Sequence, residues 1–365
     1  MKSSNKHIRI LIAGGGTGGH LFPGLAIAEA FKDKVNCSIR FVGSKRGIES
    51  RVLPDYGFQL YTIPVAGLYR VGLKKKILSL LKLPFAFLKS LSILITYRPH
   101  LVLGVGGYAS GPVLALAILL RKKVIIQEQN AFPGLTNRIL GKYVPLAFVP
   151  FSGLDSIFKN PVTVGNPIRK SIRNAAKEMD PRKSDQFVIA VIGGSQGSHI
   201  LNQVFLQTIE LLKPALGKFK IFHQTGPHDL AEVSQHYKQY PGLQAEVFSF
   251  TDSVDQIMLH SNLLICRAGS MVNEIIAMGR ASILVPIPFS SGNHQLANAK
   301  KLENSGASIC IEEEFLNPES LQRIILELSN APSKISQMEQ NAKTMKNSIS
   351  AEQMIVQRTL EYFSL

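Results

Sequence analysis

"IRILIAGGGTGGHLFPGLAIAEAF", Ile8 to Phe31, runs from β-branched apolar residues through a glycine-rich turn into an apolar helical pattern. Strand, turn and helix in that order open a βαβ unit. The pattern returns in "FVIAVIGGSQGSHILNQVFLQTI", Phe187 to Ile209. Two such openings in one chain predict two Rossmann-like domains. Between and after them, short apolar runs alternate with helical patterns. "HLVLGVGG" (100–107) and "KVIIQEQN" (123–130) read as parallel strands buried on both faces, as do "NLLICRAG" (262–269) and "ASILVPIP" (281–288). The alternation points to α/β architecture with parallel sheets. Pro161, Gly165 and Pro167 in "NPVTVGNPIRKSI" break regular structure and set the expected domains at 1–164 and 165–347. The closing "SAEQMIVQRTLEYFSL" reads as an amphipathic helix.

Composition narrows the class of function. At 45% apolar and 18% charged, the 365 residues can build cores and do not resemble a disordered chain. Cys37, Cys266 and Cys310 are far apart and form no CxxC pair, which predicts reduced thiols in a cytosolic protein and no metal site. The apolar run before the glycines is too short for a signal peptide, and no run of eighteen uncharged apolar residues predicts a membrane span. The net charge of +16 lies wholly in residues 1–164, which carry 22 Lys+Arg against 6 Asp+Glu. That asymmetry points to an anionic partner for the first half: nucleic acid, anionic lipid or an acidic substrate. Leu68 to Arg98 carries seven Lys+Arg and no acid among leucine, isoleucine and phenylalanine, as a face lying on anionic lipid does. Helices packing the first domain behind a basic rim are the alternative. Pro84 is expected to interrupt any single helix there. No nucleic-acid-binding motif occurs.

"GGGTGGH" and "GGSQGS" both suit a backbone that approaches a phosphate at a helix start, where N–H groups and the positive end of the dipole are available. Gly14, Gly16 and Gly19 satisfy G-x-G-x-x-G, a weak match alone. The next strand pattern, "CSIRFVGS", ends without the acid that a dinucleotide ribose needs, which disfavours a nicotinamide enzyme. No Gly-Lys-Ser/Thr follows, which disfavours a P-loop.

Seven motifs stand together in one order: "GGGTGGHLFPGLAIAE", "LGVGGYASGP", "QEQNAFPGLTNRIL", "VGNPIR", "GGSQGS", "CRAG…NE" and "NHQLANA". Over about residues 8–300 the chain thereby resembles the MurG family, glycosyltransferase family 28. The resemblance implies a GT-B fold, two Rossmann-like domains facing a central cleft. It also implies inverting transfer of GlcNAc from UDP-GlcNAc to the muramoyl 4-hydroxyl of lipid I, giving lipid II. The donor would sit on the C-terminal domain. The acceptor would meet the N-terminal domain at the cytoplasmic face of the inner membrane, with the final helix packing back on that domain. The family commonly reads R-A/S-G-A-x-T-V-x-E after the arginine, whereas this chain reads "RAGSMVNE", one residue shorter and without the threonine. The polar pair before the last motif's alanine appears as His294 and Gln295.

Inverting transfer needs a proton acceptor, stabilisation of the departing diphosphate and an in-line sugar. His20 is the natural base, because imidazole exchanges protons near neutrality; a helix-start histidine bonded only to backbone is the alternative. Glu128 is the competing base, or else a structural acid at a strand end. Thr17, Gly18 and Gly19 would surround the sugar or the acceptor diphosphate, and Tyr108 would pack near the acceptor or in the core. No Asp-x-Asp occurs, so protein donors rather than a bridged cation are expected on the leaving group, with no cofactor. Ser195 at a helix start, Arg169 and Arg267 are the donors available, each arginine having a structural salt bridge as its alternative. Glu274 can accept both ribose hydroxyls, or simply complement its helix dipole. Ser270, Met271, Val272 and Asn273 would supply the contacts of that turn. Thr251 would read the uracil edge, and Asn130 and Gln295 have amides suited to sugar hydroxyls.

Overall fold

The computed structural model describes residues 7–65, 81–130, 132–150, 152–182, 186–194, 196–288, 293–346 and 350–365. Ser195 and residues 68–80 of the basic apolar stretch lie outside the described residues. The chain divides into two compact units, Met1–Arg169 with Ile349–Leu365, and Lys170–Ser348.

In the first unit, β1 (Ile8–Ala13), β2 (Cys37–Gly43), β3 (Gln59–Thr62), β4 (Leu101–Gly104), β5 (Lys123–Gln127), β6 (Leu146–Val149) and β7 (Pro161–Thr163) form one parallel sheet in the order β3-β2-β1-β4-β5-β6-β7. β1 is in register with β2 from Ile8 opposite Cys37, and with β4 from Ile10 opposite Leu101. Ile10, Leu11, Ile12 and Leu101 to Leu103 are fully buried, which explains runs without polar alternation. Burial of each such side chain is worth roughly 1.5–3 kcal/mol. In the second unit, β8 (Phe187–Ile192), β9 (Phe219–Gln224), β10 (Gln244–Phe248), β11 (Leu263–Cys266), β12 (Ser282–Leu284) and β13 (Ser308–Cys310) are ordered β10-β9-β8-β11-β12-β13, again all parallel. Both expected βαβ openings thus sit on an interior strand of a doubly wound sheet.

The division falls at Arg169/Lys170 rather than at Gly165. Pro161 opens an edge strand instead of ending the domain: it lacks only a donor that an outer strand can spare. Val164 N then donates to Val149 O, which keeps the next residues on the first sheet. The last helix, Ala351–Phe363, packs on the Gly18–Lys34 helix. Its buried Glu352 accepts from Ile168 N (3.1 Å), and Lys123 Nζ donates to Phe363 O (2.8 Å). Pro84 stands in the first turn of Leu83–Tyr97, where no intrahelical partner is needed for its nitrogen, so this helix starts beside the proline; most of the stretch that Pro84 was expected to divide lies outside the described residues.

Strand order reverses between β1 and β4 in one sheet and between β8 and β11 in the other. Ligands of doubly wound sheets bind beyond the carboxyl ends of strands at such switch points. The loops found there include Gly14–Thr17, Val105–Tyr108, Gly193 and Gly194 with Gln196–Ser198, and Arg267–Ser270.

Candidate active site

The loop after β1 is shaped by contact on both sides. Gly14, Gly15 and Gly16 all have positive φ, at 153°, 135° and 87°. A side chain at Gly14 would meet Val105 and Gly106 O at 2.5–2.6 Å. One at Gly15 would meet the Glu49 carboxyl at 2.6 Å. Glu49 is buried, and its oxygens accept from Gly16 N (2.7 Å), Ser44 N (2.6 Å) and Ser44 Oγ (3.0 Å). The first glycines therefore serve close packing around an internal carboxylate, and the Gly16 N–H that a phosphate could have taken is committed to Glu49. Thr17 follows as the exposed N-cap of the Gly18–Lys34 helix, with Gly18 and Gly19 in its first turn.

His20 stands in that same turn. Its ring lies over the loop after β4, where a side chain at Gly106 would come within 3.0 Å of Cε1 and Nδ1. His20 Nδ1 is 3.1 Å from Gln129 Oε1. Tyr108, on the same loop, is exposed rather than part of the core.

Glu128 is held as the structural alternative would have it. It is 1% exposed, and Oε1 accepts from Gln129 N (2.8 Å), Asn130 N (2.9 Å) and Asn130 Nδ2 (3.0 Å). Oε2 accepts from Gly134 N (3.1 Å) and Asn137 Nδ2 (2.9 Å). With both oxygens occupied by donors in a closed interior, Glu128 anchors the 127–137 loop and offers no lone pair to an acceptor hydroxyl. Asn130 is oriented by that carboxylate. Arg169 is buried with its guanidinium 4.2 Å from the Phe22 ring centroid, a stacked position that keeps a positive charge on the first unit.

In the second unit, Gly193 and Gly197 again permit close approach: a side chain at Gly193 would meet Ser198 N at 2.6 Å, and one at Gly197 would meet Thr225 O at 1.9 Å. Ser198 caps the His199–Leu211 helix, accepting from Leu201 N at 3.4 Å. Arg267 makes the salt bridge that was its alternative. Its Nε and Nη2 donate to Ser198 Oγ (3.0 and 2.6 Å), its Nη1 donates to Val285 O (3.2 Å), and it pairs with Glu313. A guanidinium so committed braces the cap of the glycine loop.

Glu274 is buried in the first turns of the Met271–Met278 helix, close enough to Cys266 that its charge, after burial, helps push that thiol up to about 12. Ser270 is the exposed N-cap, Met271 and Asn273 are half-buried and Val272 is buried. Across from this turn, Gln295 Oε1 accepts from Ile287 N (3.0 Å), and Gln295 Nε2 lies 3.9 Å from where a Gly269 side chain would start. Asn298 Nδ2 donates to Ala268 O (3.1 Å), so the His294–Asn304 helix is laced to the same turn. Thr251, after β10, accepts from Ser253 N through Oγ1 (3.1 Å). The structure thus gathers His20, Thr17–Gly19, Tyr108 and Asn130 at one switch point, and Ser270–Glu274 and Gln295 at the other. Glu49, Gln129 and Asn298 were not anticipated, since nothing local marks an acid or amide whose partners lie on other loops.

Beside the second glycine loop is a buried polar chain. His223 Nε2 faces Asn202 Oδ1 (3.1 Å) and Nδ1 faces Tyr237 OH (3.0 Å). Asn202 Nδ2 donates to Thr225 O (2.9 Å) and Asp229 Oδ2 (2.7 Å), so its oxygen is the acceptor and His223 carries its proton on Nε2. Burial lowers the His223 pKa to about 3, so the folded state holds it neutral. The unfolded chain binds that proton below the ordinary value of about 6.5. The stability contributed is therefore complete above that value and is lost as pH falls towards about 3, with a slope of up to about 1.4 kcal/mol per pH unit. Urea denaturation between pH 7 and pH 5 should show this slope reduced in His223→Gln; equal slopes would refute it.

Comparison with known proteins fits this geometry. Residues 10–149 match the glycosyltransferase family 28 N-terminal domain, and residues 188–354 match the family 28 C-terminal domain. A Geobacter sp. (strain M21) protein named UDP-N-acetylglucosamine–N-acetylmuramyl-(pentapeptide) pyrophosphoryl-undecaprenol N-acetylglucosamine transferase is 41% identical over 96% of this chain and 95% of its own. A Syntrophus aciditrophicus (strain SB) protein of the same name is 42% identical over 95% and 97%. The crystal structure of Acinetobacter baumannii MurG superposes with a TM-score of 0.70 at 28% identity, covering 98% of this chain and 99% of that one. Two doubly wound sheets with glycine loops at both switch points, matched along nearly the whole length, place the chain in glycosyltransferase family 28.

Proposed function

We propose that this protein transfers GlcNAc from UDP-GlcNAc to the muramoyl 4-hydroxyl of undecaprenyl-diphospho-MurNAc-pentapeptide (lipid I), with inversion, giving lipid II and UDP. The observation that carries the reading is the near-full-length identity to relatives named for that transfer. In this reading the acceptor meets the first unit and the donor the second. His20 takes the hydroxyl proton as the oxygen bonds to the anomeric carbon. The bond from that carbon to the diphosphate breaks, and its electron pair leaves on UDP. In the second unit the helix start after Ser198 offsets the departing charge, while in the first unit Arg169 supplies positive charge and Thr17–Gly19, Tyr108 and Asn130 line the acceptor side. The donor's ribose rests on Glu274, with Ser270–Asn273, Thr251 and Gln295 around the nucleotide-sugar. Purified protein, labelled UDP-GlcNAc and a lipid I analogue test this, with EDTA present because the chain has no Asp-x-Asp. No disaccharide product, with or without added Mg²⁺, would overturn it in favour of another lipid acceptor or a non-catalytic sugar-nucleotide-binding role.

Glu274→Ala should raise the UDP-GlcNAc KM by about 10- to 100-fold with a smaller change in kcat, the effect of losing a charged hydrogen-bond partner. Unchanged donor kinetics would move the ribose site away from the shortened turn.

The acceptor's lipid calls for a membrane surface, and the first unit carries a suitable face. The Leu83–Tyr97 helix buries Ala86, Ser90, Ile93, Leu94 and Tyr97 and leaves Phe85 and Leu88 about two-thirds exposed. It packs on Ser110–Leu119, which packs on Leu135–Leu140, so exposed Leu119, Leu135 and Ile139 extend the apolar surface. Lys82, Lys89, Arg121, Lys122 and Arg138 are exposed on the same elements and their ends. Among the described residues no helix is long and apolar enough to cross a membrane. The proposed association is therefore peripheral, at the cytoplasmic face of the inner membrane. Sedimentation with anionic but not zwitterionic vesicles, weakened in a Phe85→Ser, Leu88→Ser variant, checks it.

A further inference from the structure

The amides around His20 form a chain whose direction is set at its ends by backbone carbonyls. Gln127 is fully buried, and its Nε2 donates to Glu128 O (2.8 Å), so its Oε1 is an acceptor. Gln129 Nε2 donates to that Oε1 (2.6 Å) and to Val105 O (2.7 Å). A carbonyl can only accept, so neither amide can be turned round without two oxygens facing each other. Gln129 Oε1 is thereby left as the acceptor toward His20 Nδ1, 3.1 Å away. An acceptor at that distance requires the proton of neutral His20 to be on Nδ1. The ring nitrogen with a lone pair is then Nε2.

From this we propose that Gln129 is a positioning residue, fixing His20 as the Nδ1–H tautomer so that Nε2 is the atom that receives the acceptor's proton. The proposal rests on the reading of His20 as the base. The backbone shares in the arrangement: Gly106 and Gly107 lack the side chains that would push the ring away, and Asn166 Nδ2 holds Gln129 O (2.9 Å). After proton transfer the imidazolium still donates Nδ1–H to Gln129. Its partner is a neutral amide instead of a carboxylate, so orientation is supplied without a second negative charge beside an acceptor that already bears a diphosphate.

Long-range proton–nitrogen NMR of ¹⁵N-histidine-labelled protein reads the tautomer directly, with the His20 signals among the nine histidines assigned by their loss in His20→Ala. The expected native state has a protonated Nδ1 and an unprotonated Nε2. Gln129→Leu should move the proton toward Nε2 and lower kcat by about 10- to 100-fold, the usual cost of losing a partner that orients a histidine. The UDP-GlcNAc KM should stay within about twofold, as expected for an interaction that affects only the chemical step. In a His20→Ala background the same change should cost no further rate. An Nε2–H tautomer in the native protein overturns the proposal, and so does an equal rate loss in the two backgrounds, which would mark a purely structural role. Should Gln129→Leu fail to fold, the native tautomer alone decides. Near-normal kcat in His20→Ala would instead remove His20 as base, an outcome separable from either of these.

Discussion

His20→Ala lowers kcat for transfer to lipid I by about two to four orders of magnitude, the usual contribution of a positioned proton acceptor. The expectation follows from where the ring is held: on the first turn of the Gly18–Lys34 helix, over Gly106, with Nδ1 engaged by Gln129. UDP-GlcNAc affinity, measured directly by calorimetry, changes little, because the proposed donor contacts lie in the other compact unit. His20→Gln retains a hydrogen-bonding side chain but cannot accept a proton near neutrality, so the rate is not restored. Near-normal turnover in His20→Ala would pass the role to Glu128 or to solvent. Parallel losses of donor affinity and rate would turn the first glycine loop into part of the donor site.

The fold was legible because its signals are local. A β-branched run ending in glycines is a strand and a turn whatever surrounds it, and the repeat at Phe187 doubles the inference. The glycines were legible as close approaches, but their neighbours were not. Gly15 packs on Glu49, far along the chain in the start of another helix, and no spacing rule connects them. His20 and Gln129 are separated by 109 positions and meet only because β1, β4 and β5 are adjacent in the sheet. Arg267 illustrates the opposite limit. Sequence identifies a cation beside a phosphate-type loop, whereas the folded chain decides whether that cation is spent on Ser198 and Glu313. Residue type sets what a group can do, and the occupancy of its donors and lone pairs decides what it does. Pro161 teaches the same lesson for the backbone: a proline disrupts only where its missing N–H would have had a partner.

Glu128 gives the second large effect, and it separates an anchor from a base. Glu128→Ala removes the acceptor of five hydrogen bonds and strands Gln129 N, Asn130 N, Gly134 N and two side-chain amides in a buried loop. Each buried donor left unpaired in such a set costs about 1–3 kcal/mol. The first unit should therefore melt at lower temperature and lower urea, with transfer falling as the loop that carries Gln129 and Asn130 loses its shape. Glu128→Gln is no remedy, because its NH₂ group would face donors at Gly134 and Asn137. A general base behaves otherwise. Its removal leaves stability nearly intact, and a small exogenous carboxylate such as formate restores part of the rate by accepting the proton from the vacated space. The two measurements are thermal denaturation and formate rescue on the same Glu128→Ala protein. Lowered stability without rescue fits a carboxylate whose lone pairs are already taken, whereas normal stability with rescue would return Glu128 to the chemistry and leave His20 as a substrate contact.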